Sequence, residues 1–173
     1  MSIQNFEFKA RTNNLAELED AIQPFRPKFA GIDHQSDTYF HTINGRMKLR
    51  EGNIENALIW YERSNIAGAK ASKVLLINSP EKSIKEMLTV ALGIKIIVEK
   101  ERRIWFIDNV KFHFDKVNHL GDFIEVEAID EDGTIGLEKL KQQCAFYSDL
   151  FKILPCDYIA ESYSDLLMKI PHK

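Results

Sequence analysis

Polar and apolar residues alternate with period two along most of this chain, the pattern of strands that have one apolar and one polar face. The alternation is sharpest in FHFDKVNHLGDFIEVEA, residues 112–128. Phe112 and Phe114 share one face there, with His113 and Asp115 on the other. After a turn at 118–121, Ile124, Val126 and Ala128 return to the apolar face, while Glu125 and Glu127 join Asp115 on the polar one. Residues 3–10 behave the same way, Phe6, Phe8 and Ala10 opposing Asn5, Glu7 and Lys9.

Further strands are predicted over 28–42, 46–50, 57–64, 69–78 and 94–107. Asn44-Gly45 is a two-residue hairpin signal, and it leads into Arg46, Lys48 and Arg50, three cations on one face. A second turn is expected near 52–56, followed by a strand in which Ile59, Tyr61 and Arg63 point one way. Helical spacing replaces alternation in three places. Leu15, Leu18 and Ile22 follow a capping Asn13 or Asn14 and stop at Pro24. Ile84, Met87, Leu88 and Ala91 form a stripe that Ser79-Pro80 opens, with proline at the first helical position, and Gly93 closes. Leu137, Leu140, Cys144, Tyr147 and Phe151 form the third stripe, in which Cys144 reads as core packing. The tail carries Ser162-Tyr163-Ser164 and a short apolar segment, 166–168.

About eight strands joined mainly by tight turns make a mainly β, α+β fold whose antiparallel sheet can close into an eight-stranded barrel or tunnel. The helical stripes need apolar cover, so the apolar strand faces should lie outward beneath the helices. The charged faces then line the inside: Glu7 and Lys9, Lys48 and Arg50, Arg63, Lys100 and Arg102, Asp115, Glu125 and Glu127. Charges on an exposed sheet, paired as salt bridges, are the alternative. A charged bore requires a ligand or metal to compensate burial.

Composition narrows the partners. With 173 residues, 45% of them hydrophobic, the chain can bury a core as one domain, 1–173. A formal net charge of −3 makes no general case for nucleic acid or a membrane surface. No apolar run is long enough to span a bilayer, and MSIQNFEFKA lacks a signal-peptide pattern. Two cysteines, Cys144 and Cys156, suggest neither a metal knuckle nor a disulfide framework, so a reduced, cytoplasmic protein is expected. Convergent lysines and arginines suit a polyphosphate, and carboxylates beside them suit a hard ion, Mg2+ or Mn2+, that shares its shell with phosphate oxygens.

The motifs resemble those of the CYTH superfamily, the triphosphate tunnel metalloenzymes. Asn5-Phe-Glu7-Phe-Lys9 sits where that family has Glu-x-Glu-x-Lys. Asp37-Thr-Tyr-Phe40, Lys48-Leu-Arg50-Glu51, Trp60-Tyr-Glu-Arg63, Glu99-Lys100-x-Arg102, Asp115, Leu120-Gly-Asp-Phe-Ile-Glu125-x-Glu127 and Ser162-Tyr163 follow in the family's order. The resemblance covers nearly the whole chain and is strongest to the class IV adenylyl cyclase (CyaB-like) branch. It implies a tunnel binding divalent metal and a triphosphate-bearing small molecule, ATP or polyphosphate, with a homodimer left open. Glu7 and Glu125 are implied as principal metal ligands, with Glu127 and Asp115 nearby. Lys9, Lys48, Arg50, Arg63, Lys100 and Arg102 would hold the phosphates, with a further cation from the 70–73 region. Asn5 departs from the signature and supplies no charge. His41, where the family often has an acid, reads as a surface residue at a strand end.

Two reactions fit such a site. The first, implied by the cyclase branch, is attack of the ribose 3′-hydroxyl of ATP on the α-phosphorus, giving cyclic AMP and pyrophosphate. The other is hydrolysis of tripolyphosphate, thiamine triphosphate or a nucleoside triphosphate. Asp115, Lys9 and Arg63 are the candidate catalytic residues, Asp115 accepting or relaying the nucleophile's proton. A non-catalytic polyphosphate or nucleotide binder is the third expectation, which Asn5 keeps open.

Overall fold

The computed structural model describes residues 4–62, 70–71 and 73–171. The described strands are β1 (Gln4–Arg11), β2 (Lys28–Phe40), β3 (Arg46–Glu51), β4 (Ala57–Glu62), β5 (Lys70–Ala71), β6 (Lys73–Asn78), β7 (Ile94–Ile107), β8 (Val110–Val117) and β9 (Gly121–Asp130). They form one antiparallel sheet in the order β5-β1-β9-β8-β7-β2-β3-β4-β6. Its two outermost strands, β5 and β6, are one residue apart in the chain, so the sheet curls until its ends meet. Counting β5 and β6 as one strand gives the expected eight-stranded tunnel.

The helices are α1 (Leu15–Ile22), α2 (Ser83–Leu92), α3 (Leu137–Leu150) and α4 (Tyr163–Met168). The Asn14 side chain caps α1 by accepting from the Glu17 N–H. Beneath α1 and α3 lies the main core: Phe8, Phe112, Phe114, Ile124 and Val126 from β1, β8 and β9, with Leu15, Ile22, Leu140, Cys144, Tyr147 and Phe151 from the helices. Each of these strand residues is at most 1% exposed, and each is in the apolar phase of its strand. Full burial of a large apolar side chain contributes roughly 1.5–3 kcal/mol, so this layer fixes which face of β1, β8 and β9 points out. No helix among the described residues is long and apolar enough to cross a membrane.

Several local expectations are corrected. The β2–β3 ladder ends at Phe40 opposite Met47, so the connection is a loop over 41–45 with Gly45 at φ 67°, not a two-residue turn. Proline 80 is not the first residue of α2: Ser79 adopts φ 47° and donates its N–H to Asn56 O, and the helix begins at Ser83. On α2, Ile84 and Leu88 are only half-buried, and Met87 remains 63% exposed. Among the described residues no helix covers β6 either, where Leu75 and Ile77 are each 60% exposed. On α3, Leu137 lies at the solvent edge of its stripe.

The bore is not charged throughout. Tyr39, Tyr61, Val98, Val117 and Phe123 point inward at one end and pack with Tyr163 of α4, flanked by Leu166 and Leu167. Helix α4 starts at an Ser162 cap and is tied to the first residue of β3 by Arg46 Nη2 donating to Asp165 Oδ2 at 2.7 Å. Its apolar face thus plugs one end of the tunnel. The charged stretch occupies the middle and the opposite end.

Candidate functional site

Alternation along each strand delivers the polar set inward. Asp37 of β2 is the centre of one cluster. Its Oδ1 accepts from Arg50 Nε at 2.8 Å, and its Oδ2 from Arg50 Nη2, Lys48 Nζ and Lys100 Nζ at 2.9, 2.9 and 2.8 Å. Burial alone would push this carboxyl up, but Arg50, Lys100 and Lys48 hold it well below the ordinary carboxylate range. The converse holds for Lys100. Burial lowers its ammonium to about 7, aided by repulsion from Arg50, Arg102 and Lys48 and opposed by Asp37.

Asp115 of β8 is the centre of a second cluster. Arg102 grips it with both arms, Nε to Oδ1 at 2.7 Å and Nη2 to Oδ2 at 2.6 Å, and Tyr163 adds its hydroxyl. The carboxyl stays ionised below its usual range despite complete burial, because of Arg102. Glu125 lies 3.7 Å from Arg102, 3.9 Å from Lys9 and 3.7 Å from His113 Nδ1. Both ring nitrogens of His113 are buried without a hydrogen-bond partner, and burial followed by Arg102 and Lys111 pushes its pKa down.

Beyond these clusters, toward the end away from α4, Glu7 and Glu127 are register partners on β1 and β9. Asn5 donates Nδ2 to Glu127 Oε1 at 2.7 Å, leaving its own Oδ1 buried and unpartnered. Among the described residues no three His, Cys, Asp or Glu side chains already converge as a metal centre. The donor set here is nevertheless all oxygen, and the orphaned Asn5 carbonyl is a buried acceptor needing a partner. Asn5, Glu7 and Glu127 therefore fit one side of the shell of a hard divalent ion, the rest coming from water or ligand oxygens.

Sheet order separates the two charge types. In the ring of strands, β1 and β9 lie across from β2 and β3. One wall thus carries Glu7, Glu125 and Glu127 around Lys9, and the facing wall carries Lys48, Arg50 and Lys100 around Asp37, with Arg102 and Asp115 between. Arg63 lies outside the described residues, as do the side chains over 70–73. Reading the sequence missed Asp37 as a site residue, although it belongs to the same alternating run as Tyr39. It also missed Asp33, Gln35 and Glu55. Asp33 and Gln35 carry the same period-two signal; Glu55 sits in a turn and carries none.

A curled antiparallel sheet with helices outside it is the fold of the CYTH class, whose members act on triphosphates. The chain belongs to the CYTH domain family, whose profile matches residues 4–155. Among solved structures it is similar to the PH1012 protein of Pyrococcus horikoshii, with 23% identity, TM-score 0.75 and coverage of 94% of this chain and 98% of that one. A Vibrio parahaemolyticus protein put forward as an adenylate cyclase is similar at 19% identity and TM-score 0.78, covering 97% and 99%. A Hippeastrum protein, put forward as an adenylyl cyclase and found to have a dominant triphosphatase activity, is similar at 14% identity and TM-score 0.53, covering 97% and 94%. No curated protein matches the sequence.

Proposed function

We propose that this protein is a divalent-metal-dependent phosphohydrolase that binds a triphosphate inside the tunnel. The observation that carries the reading is the opposition of the two walls. A triphosphate laid between them meets Lys48, Arg50, Lys100 and Arg102 on one side, while Asn5, Glu7 and Glu127 hold Mg2+ or Mn2+ on the other. The ion, when bound, polarises phosphoryl oxygens. The side chains supply orientation and charge. Arg50 and Arg102 are each locked by a bidentate carboxylate, so their remaining N–H groups are aimed before substrate arrives. Phosphoryl transfer needs mainly such positioning and charge stabilisation.

Asp115, the candidate proton acceptor, is saturated by Arg102 and Tyr163 and held acidic, so in this reading it aligns Arg102 and does not take the nucleophile's proton. Cyclisation of ATP is the second reading. It is supported by a cavity of about 400 Å³ whose lining mixes Phe106, Ile129 and Ile135 with Asn109 and Thr134 and the carboxylates Asp108, Glu131 and Asp132, a volume that suits a nucleoside. Incubation with Mg2+ or Mn2+ and, in turn, tripolyphosphate, thiamine triphosphate and ATP separates the readings. Orthophosphate release is expected from one of them. Cyclic AMP with pyrophosphate from ATP would establish the second reading, and metal-dependent binding without any product would make the protein a binder.

A further inference from the structure

We propose that Glu55 is a carboxylate stop at the tunnel mouth, limiting the bound phosphate chain to a tripolyphosphate and excluding longer or nucleoside-bearing chains. This inference rests on the triphosphate reading above. Glu55 belongs to the turn between β3 and β4, at the end of β3 opposite the α4 plug. Most glutamates on such turns point to solvent. This one turns inward, with its Oε2 accepting from Arg50 Nη1 at 2.9 Å and from Gln35 Nε2 at 3.0 Å, and its Oε1 from Lys111. Its carboxyl lies against the burial trend far below the ordinary range, because Lys111, His113, Arg50 and Arg102 all favour the anion. It occupies the place that a phosphoryl oxygen would take at the end of the cation row.

The turn is built to hold it there. Buried Asp33 accepts from the backbone N–H of Ile54 and of Glu55, each at 2.9 Å. Asn53 accepts from His34 N–H at 2.6 Å and donates to Ile32 O at 2.9 Å, fastening the turn to β2. A Cβ at Gly52 would come within 2.5 Å of Asp33 Oδ1, so the residue at 52 lets the turn close on that carboxylate. A mobile mouth loop would need none of these ties. Between the two closures, β3 advances from Arg46, held by Asp165 of α4, to Arg50, held by Glu55. The plug takes up the Arg46 end, where Tyr61 pairs with Arg46 and Tyr39 with Lys48. The open stretch is therefore shorter than the roughly 13 Å that four strand residues span, and suits only a short phosphate chain. A fourth phosphate or a nucleoside must displace a carboxylate held by Arg50, Lys111 and Gln35, and also meets its charge.

Titration calorimetry of the full chain in EDTA, with tripolyphosphate, tetrapolyphosphate and ATP, tests the stop without metal or turnover. The wild type should bind tripolyphosphate more tightly than the other two. Glu55→Gln keeps the shape and removes the charge, and should raise the affinity for tetrapolyphosphate relative to tripolyphosphate by about tenfold or more, the worth of one charge-assisted hydrogen bond. Glu51→Gln removes an equal charge from an exposed residue at the same mouth and should leave that ratio unchanged. If Glu55→Gln fails to fold, Glu55→Ser reads the same ratio. Equal strengthening of both chains, an unchanged ratio, or an equal effect of Glu51→Gln would overturn the stop while leaving the triphosphate site standing. Absence of binding by either protein in EDTA would overturn the stop, and absence of binding when the titration is repeated with Mg2+ would sink the triphosphate reading as well.

Discussion

Tyr163, the first residue of α4, donates its hydroxyl to Asp115 Oδ2 on β8 at 2.7 Å, across 48 positions of sequence. The bond joins the plug of the tunnel to the carboxylate that aligns Arg102. The same ring packs against Phe123 with centroids 4.9 Å apart, and Lys9 Nζ sits 4.2 Å from its centroid. One aromatic side chain thus completes both the apolar end and the charged middle.

Tyr163→Phe should therefore cost more than an ordinary buried hydroxyl, because its acceptor is ionised. A loss of about 1.5–3 kcal/mol is expected in urea denaturation. Arg102 still satisfies Asp115, so tripolyphosphate binding should persist at reduced affinity. A change within error in both measurements would show that α4 is not coupled to the site.

Asp37→Asn separates stability from binding. Removing this buried charge leaves Lys48, Arg50 and Lys100 facing one another, and breaking such a cluster costs about 3–5 kcal/mol. The same change makes the wall more positive. The variant should melt lower without ligand yet show a larger melting-temperature rise on adding tripolyphosphate than the wild type shows. A smaller rise would place the anion elsewhere.

Lys100 gives a pH signature. Its folded pKa, about 7, lies below the ordinary lysine value, so the folded state binds fewer protons than the unfolded one between about 7 and 10.5. Its contribution to stability accordingly rises with pH across that window, and its burial penalty is fully present below it. Anion binding works in the opposite sense, since a phosphate favours the charged amine. Tripolyphosphate affinity should fall as pH rises through 7 to 9, beyond any change due to the ligand's own titration. Lys100→Arg, which stays charged, should flatten that extra fall in a titration series. Parallel curves for the two proteins would count against Lys100 as a phosphate contact.

Glu125→Gln and Asn5→Glu probe the acid wall. Glu125, implied by the resemblance as a principal metal ligand, lies against Lys9, Arg102 and His113 on the same wall as Glu7 and Glu127. Glu125→Gln should abolish most metal-dependent turnover if Glu125 completes the ion's shell there, while circular dichroism remains native. Asn5→Glu replaces an orphaned amide oxygen with a carboxylate beside Glu127, and should lower the Mg2+ or Mn2+ concentration for half-maximal rate. An unchanged metal dependence in Asn5→Glu would remove position 5 from the ion's surroundings. Activity confined to that variant would mark the natural protein as a binder.

Alternation along the chain is enough to specify the strands and which of their faces carries charge. Period two is a local property of extended backbone, so Phe112, His113, Phe114 and Asp115 sort themselves into two faces whatever lies around them. The apolar stripe of α3 likewise declared which face of β1, β8 and β9 it covers, and so which side chains point into the bore. How those inward charges pair is set by the folded sheet. Asp37 receives Lys100 from 63 positions away because β2 and β7 are neighbours in the sheet, and hydrogen-bonding partners across strands follow sheet order, not periodicity. The tertiary structure also decides where the bore ends. Helix α4 is six residues long and Glu55 lies in a turn, and neither has a repeating pattern that would reveal its aim. Each is aimed by long-range contacts, Tyr163 by Asp115 and the Glu55 turn by Asp33, that exist only once the strands have closed around them.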